Sequence, residues 1–220
     1  MLDRLCVCVR PRPESSHGVL HSHEAVMRPD GSCLFVTHDR SPKGLRSWDI
    51  LWVDQGEDGQ EQLQTLLTEG SLPREVLITG PCGALLPQLL PGRGLYANEV
   101  LDPDNGPHTP QPTRALSLPA MSRALDGNVQ TGKFLTTAVP CVTPSHKAES
   151  GHGYGAVAVD QDSALLCRPC QNAVLGHAVI KFVFDPMEED FTIADEPTRR
   201  RRLESALAVE RNILRLLAGL

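Results

Sequence analysis

Short apolar runs alternating with amphipathic stretches set the rhythm of this chain. Leu5 to Val9 (LCVCV), Cys33 to Thr37, Asp49 to Val53 and Glu75 to Thr79 are brief and rich in Val, Leu and Ile, the signature of buried strands. The first is closed by Arg10-Pro11-Arg12-Pro13, which cannot continue a sheet ladder. Glu57 to Glu69 carries Leu63, Leu66 and Leu67 at helical spacing and stops at Gly70, a residue that ends helices readily. The strand at Glu75 to Thr79 runs into Gly80-Pro81-Cys82-Gly83, which reads as a turn. Gly94 to Leu101 and Lys133 to Val139 predict two further strands, and Thr143-Pro144-Ser145 a turn into a brief helix. Residues 102–114 (DPDNGPHTPQPTR) show no periodicity and suit either a lid or a plain long connection. After Pro197 a long helix is expected, its apolar stripe running through Leu203, Ala206, Leu207, Val209, Ile213, Leu214 and Leu217. Strands interleaved with helices predict an α/β protein with a mostly parallel central sheet, one domain over residues 1–220.

The stretch with most chemistry is Gly155 to Asp185, a strand ending in acid, a helix, and a second strand ending in acid. Asp160 and Asp162 stand where the first strand meets the helix, and Asp185 closes the second strand just before Pro186. In a strand-helix-strand crossover the two strands lie parallel, so both acidic ends are expected to open on the same edge of the sheet, where open α/β sheets bind ligands. Asp160 is best placed to cap the helix, leaving Asp162 and Asp185 as the pair to converge on a ligand.

Composition narrows the classes. A formal net charge of −6 argues against a nucleic-acid binder, and the longest apolar runs are far short of the roughly 18 residues that span a membrane. The opening residues do not resemble a signal peptide. Seven cysteines, an odd number scattered through apolar segments, fit buried reduced thiols in a cytoplasmic protein. The lone C-x-x-C of Cys167 and Cys170 supplies two of the roughly four ligands a zinc site needs, and nothing in the spacing recruits His17, His21 or His23, so neither metal nor cofactor is expected. Trp48 and Trp52 suit a core or an interface, and the run Arg199 to Arg202 a solvated or subunit-contact face.

Taken together, VLITGPCGALLPQLLPGRGLYANEVLD, GKFLTTAVPCVTP, GAVAVDQDSALL and AVIKFVFDP resemble the nucleoside phosphorylase and nucleosidase superfamily over roughly residues 75–190. The likeness is to the branch of methylthioadenosine/S-adenosylhomocysteine nucleosidases, futalosine hydrolases and hopanoid-associated phosphorylases. It implies a three-layer α/β/α sandwich around a twisted, partly barrel-like mixed sheet, and cleavage of the N-glycosidic bond of a purine-type nucleoside. By the same resemblance Asp185 is the acid at the leaving base, Asp162 holds the ribose hydroxyls and Gln161 packs under the sugar. Pro140 and Cys141 face the base, and Gly80 and Gly83 form the turn on the nucleophile's side. The implied partners are a nucleoside or purine base, with phosphate as a candidate co-substrate, and further copies of the chain in a dimer or higher oligomer. Ile78 and Pro81 replace the residues that bind phosphate in family phosphorylases, which favours water as nucleophile, and Phe184 replaces the serine before the catalytic aspartate. These departures keep open an alternative, a non-catalytic nucleoside-binding or structural relative with a degenerate site.

Overall fold

The computed structural model describes residues 4–9, 24–27, 33–36, 48–70, 72–193 and 195–220. In chain order the strands are β1 (Arg4–Val9), β2 (Glu24–Met27), β3 (Cys33–Val36), β4 (Asp49–Val53), β5 (Glu75–Ala84), β6 (Gly94–Asp102), β7 (Gly106–His108), β8 (Val129–Thr136), β9 (Ala158–Asp160) and β10 (Gly176–Asp185). The helices are α1 (Glu57–Glu69), α2 (Leu118–Ala124), α3 (Pro144–Tyr154), α4 (Ser163–Asn172) and α5 (Glu196–Gly219). The predicted strands at Asp49 to Val53 and the helix at Glu57 to Glu69 are found with those bounds, and the Gly70 amide closes that helix on the Leu66 carbonyl. The strand expected at Lys133 to Val139 instead begins at Val129 and ends at Thr136.

β5 organises the sheet because it has three partners. Along Glu75 to Thr79 it pairs in parallel with β1, and along almost its whole length with β10. Beyond Thr79 the β1 ladder stops, and at Gly83 and Ala84 the short β9 takes that side, antiparallel. From β9 the ladder passes to β8, β6 and back to β10, closing a ring of five strands, while β1, β4, β3 and β2 extend outward from β5. The sheet is therefore mixed and partly barrel-like, and only part of it is the parallel array that the alternation of elements suggested. One core lies beneath α1 and α4, with Leu63, Leu66, Leu166 and Cys167 against Ile78, Phe134 and Val179. A second lies beneath α2 and α5, with Met121, Val209, Ile213 and Leu216 against Leu77, Ile180 and Phe182. Alternate residues of β5 and β10 thus serve opposite helix layers, as the two-residue period of a strand requires. Trp48 belongs to the second core, with the Arg4 guanidinium 5.1 Å from its ring centre.

One local expectation is corrected here, and one pair of open alternatives is narrowed. Gly80-Pro81-Cys82-Gly83 is not a turn but the second half of β5. A proline is tolerated there because the side vacated by β1 is not taken up by β9 until Gly83, so residue 81 has a ladder partner on the β10 side alone. Residues 102–114 are stitched down rather than lid-like. β7 folds back on β6, the Thr113 hydroxyl donates to Glu75, and the His177 amide donates to the Gln111 carbonyl at 2.9 Å. Gly176 makes room for this, since a Cβ there would lie 2.5 Å from Thr113 Cγ2. The contacts of Gln111 and Thr113 are at the N-terminal ends of β5 and β10, away from Asp185 at the far end of β10.

Candidate active site

The N-terminus of α4 is built on Asp160. One carboxylate oxygen accepts from the amides of Asp162 and Ser163 at 3.3 and 3.1 Å and from the Thr136 hydroxyl at 2.9 Å, and the other accepts from the Ser163 hydroxyl. Thr136 in turn accepts from the Ala164 amide at 3.0 Å. First-turn amides that have no partner inside the helix are thus satisfied by buried side chains, as the capping role foreseen for Asp160 requires. Asp162, at the cap position itself, makes no capping bond. Its carboxylate, with a side chain 1% exposed, takes a hydrogen bond from Lys181 instead. Lys181 lies in the middle of β10 opposite Gly80, and its Nζ also stands 3.8 Å from Asp160. Gly80 has φ of +149°, and a Cβ there would come within 3.0 Å of Val9 Cβ and 3.4 Å of the Lys181 ammonium. The bare glycine is what lets the lysine reach across β5 to α4.

Asp162 and Lys181 share a dry site with the Asp160 carboxylate, and both members of the pair hold their protons more tightly than usual. Burial pushes Asp162 above the usual carboxylate range, with Asp160 adding to the push and Lys181 opposing it. For Lys181, burial would lower the ammonium's pKa, but the attraction of Asp162 and Asp160 raises it overall.

Asp185 closes β10 beyond a bulge, where Val183 pairs Cys82 but Asp185 pairs Gly83. The extra residue, Phe184, re-aims the strand end, as bulges do. Phe184 packs on Phe191, ring centres 5.6 Å apart, and a Cβ on Gly83 would lie 3.7 Å from the Asp185 carboxylate. Asp185 is ion-paired to Lys147 of α3 and its side chain is 13% exposed. Burial pushes its pKa up to about 7, against the lowering pull of Lys147.

The two acidic groups are neighbours. β5 runs between them, since Gly83 pairs Asp185 of β10 on one side and Val159 of β9, next to Asp160, on the other. Burial raises the thiol of the adjacent Cys82 first of all, and charges on Asp160, Lys181, Asp162 and Asp185 also act on it. Their convergence does not come from a parallel crossover: β9 is antiparallel to β5 and β10 is parallel to it. They meet because β9 covers only the last two residues of β5, which drops Asp160 and Asp162 beside the same strand end that Asp185 reaches. The remaining predicted residues gather on this side. Gln161 is half-buried and donates to the Ala138 carbonyl at 3.0 Å, and Pro140 and Cys141 follow directly. Cys141 is buried against Leu85, Leu135 and Val159, with His146 Nε2 at 3.7 Å and Ser150 Oγ at 3.5 Å from its sulfur.

Lys181 and Lys147 are the residues that sequence reasoning missed. Lys181 had a signal, a lone cation inside the apolar run AVIKFVF; Lys147, in the polar helix PSHKAESGHGY, had none. Cys167 and Cys170 are buried free thiols whose pKa values burial raises. Among the described residues no three His, Cys, Asp or Glu side chains gather as a metal site, and His17, His21 and His23 lie outside them. An open cleft of about 670 Å³ beside α5, bordered by Arg93, Arg211 and Arg215, includes none of the predicted site residues.

In sequence, no family model and no curated relative matches the chain. In three dimensions it has the fold of solved 5′-methylthioadenosine/S-adenosylhomocysteine nucleosidases and of a futalosine hydrolase. A 5′-methylthioadenosine/S-adenosylhomocysteine nucleosidase from Helicobacter pylori, solved with butyl-thio-DADMe-Immucillin-A, superposes with a TM-score of 0.74 at 14% identity, covering 100% of this chain and 99% of that one. Futalosine hydrolase of the same organism gives 0.73 at 14% identity, again over 100% and 99%. A nucleosidase of the first kind from Colwellia psychrerythraea 34H, in complex with adenine, gives 0.73 at 17% identity over 100% and 96%.

Proposed function

We propose that this chain hydrolyses the N-glycosidic bond of a purine-type nucleoside, with Asp185 as the acid at the leaving base. The observation that carries the reading is a partly exposed carboxyl at a strand end that titrates near neutrality, on a fold shared with solved nucleosidases. Breaking the bond between sugar and base leaves its electron pair on the purine and positive charge on the ribose. A proton passed from Asp185 to a ring nitrogen of the base neutralises the first charge, and a general acid works best with a pKa near the working pH. Asp162 would accept hydrogen bonds from the ribose hydroxyls and offset the second charge, with Lys181 fixing its orientation, by analogy with carboxylates that stabilise oxocarbenium-like states. Gln161 would pack under the sugar, Pro140 and Cys141 would border the base, and Gly80 and Gly83 would flank the nucleophile's side. Water adds to the anomeric carbon, releases a proton to solvent, and Asp185 is reprotonated. Ile78 is buried apolar surface and Pro81 has no amide donor, so water is favoured over phosphate as the nucleophile. The reading also has residues 1–220 working as one domain, in a cytoplasmic homo-oligomer.

The test is incubation with adenosine, inosine, methylthioadenosine, adenosylhomocysteine and futalosine, with and without phosphate, following released base. Release that is independent of phosphate and lost by at least about a hundredfold in Asp185→Asn is expected from the size of general-acid effects. An Asp185→Asn variant as active as the wild type would remove the assigned role. A second reading, a nucleoside binder without turnover, is favoured by the burial of Asp162 against Lys181. It predicts that nucleosides raise the melting temperature while no base appears.

A further inference from the structure

Lys147 is fully buried, and its ammonium has three acceptors: the Asp185 carboxylate, the Pro186 carbonyl at 2.9 Å and the Glu189 carbonyl at 2.9 Å. An ammonium has three N–H donors, so every one is used. The segment it grips, residues 185–191, is also fastened elsewhere. The Phe191 amide donates to the Val142 carbonyl at 3.0 Å, just before α3, and Arg202 of α5 donates to the Phe191 carbonyl. The Phe191 ring covers both cations, 5.2 Å from the Lys147 ammonium and 4.3 Å from the Arg202 guanidinium. Arg201 reaches the Glu189 carboxylate at 3.4 Å. A strap from the end of β10 is thereby held between α3 and α5, and Lys147 touches both the strap and the acid.

We propose that Lys147 is a positioning residue, one that pins the Asp185 carboxylate in direction and ties it to the 186–191 strap. The proposal deepens the functional reading above and rests on it for the word positioning, since what is positioned is the acid at the base. The charged and titratable groups around Asp185 are Lys147 from α3, Glu189 from the strap, Arg202 from α5 and, on β5, the neutral Cys82 thiol. Of these Lys147 is the cation in direct contact. It opposes what burial does, so the acid holds a proton near neutral pH instead of far above it. The three-way grip also denies the carboxylate the rotation that an exposed strand-end acid would have.

Carboxyl ¹³C NMR titration of Asp185, with its resonance identified by its loss in Asp185→Asn, tests this without turnover. An opposite charge at contact lowers an acid by about one to three pH units, so Lys147→Met should move the Asp185 midpoint up by that much, and Lys147→Arg should restore most of it. Lys147→Gln keeps a donor for the strap carbonyls without the charge, and serves if Lys147→Met does not fold. It should show the same rise with smaller acceleration of hydrogen exchange at the Phe191 amide. In turnover, the alkaline limb of kcat should follow the midpoint, with KM changing less. An Asp185 midpoint unchanged in Lys147→Met and Lys147→Gln overturns the proposal. A wild type that releases no base but shows the titration shift sinks the catalytic reading instead and leaves Lys147 setting the charge of Asp185.

Discussion

A carboxyl held near pH 7 has a cost in stability that can be read directly. Asp185 titrates at about 7 when folded, while an unfolded aspartate titrates at about 3.9. Between those values the folded chain keeps a proton that the unfolded chain has released, so this group makes stability fall as pH rises, with the loss complete above pH 7. Asp162, also raised, acts in the same sense. Urea denaturation at pH 4.5, 5.5 and 7 should therefore show a downward slope attributable to these groups, and Asp185→Asn should flatten it. Comparing slopes cancels whatever other titrations the two proteins share. Equal slopes in wild type and Asp185→Asn would mean that the carboxyl is ionised through this range, and an acid already ionised cannot donate a proton to a leaving base.

Among the elements, α4 shows what a sequence reveals and what it conceals. That Asp160 caps this helix was legible, because a cap acts within three residues of itself and the pattern of acid, polar and apolar positions there is local. The partner of Asp162 was not, because Lys181 is 19 residues away and meets it only after β10 has been laid against β5. The same holds for Lys147 and Asp185, 38 residues apart on different elements. β5 misled in a different manner: Gly80-Pro81 has the composition of a turn, and only the register of its neighbours reveals that one side of the strand is vacant where the proline falls. For the cap itself, Asp160→Ala should destabilise the protein by about 2–3 kcal/mol, since the amides of Asp162 and Ser163 and two hydroxyls lose a charged acceptor in a dry site. Asp160→Asn should recover part of that loss, because an amide oxygen still accepts. Chemical denaturation of both variants decides it, and an alanine variant within about 0.5 kcal/mol of wild type would contradict the cap's importance.

At the scale of the whole molecule, Lys181 ties β10 to α4 across β5, joining two of the five strands of the ring to the helix that follows β9. The α/β class and most elements could be read from periodicity, but the closure of the ring could not, because alternation of strands and helices suits an open parallel sheet equally well. What sets the closed form apart is that β9 is too short and too far along β5 to pair with anything but its last two residues. The lysine is part of that arrangement, and its removal leaves Asp162 buried with no cation in contact. Breaking a buried pair in this way costs about 3–5 kcal/mol, a large share of a domain's typical stability, so Lys181→Met should lower the denaturation midpoint sharply. Removing both partners is different: with Lys181→Met and Asp162→Leu together the stranded charge of Asp162 is gone, and Asp160, although it loses the ammonium 3.8 Å away, keeps its own amide and hydroxyl donors. The double variant should therefore be more stable than the single one, by about 2 kcal/mol or more if the penalty is chiefly the stranded charge. If it is instead no better than Lys181→Met, the lysine holds the ring through its packing over Gly80, and Asp162 is free to serve a ligand without it. Base release measured on the same variants separates the two, since only the first case makes the orientation of Asp162 depend on Lys181.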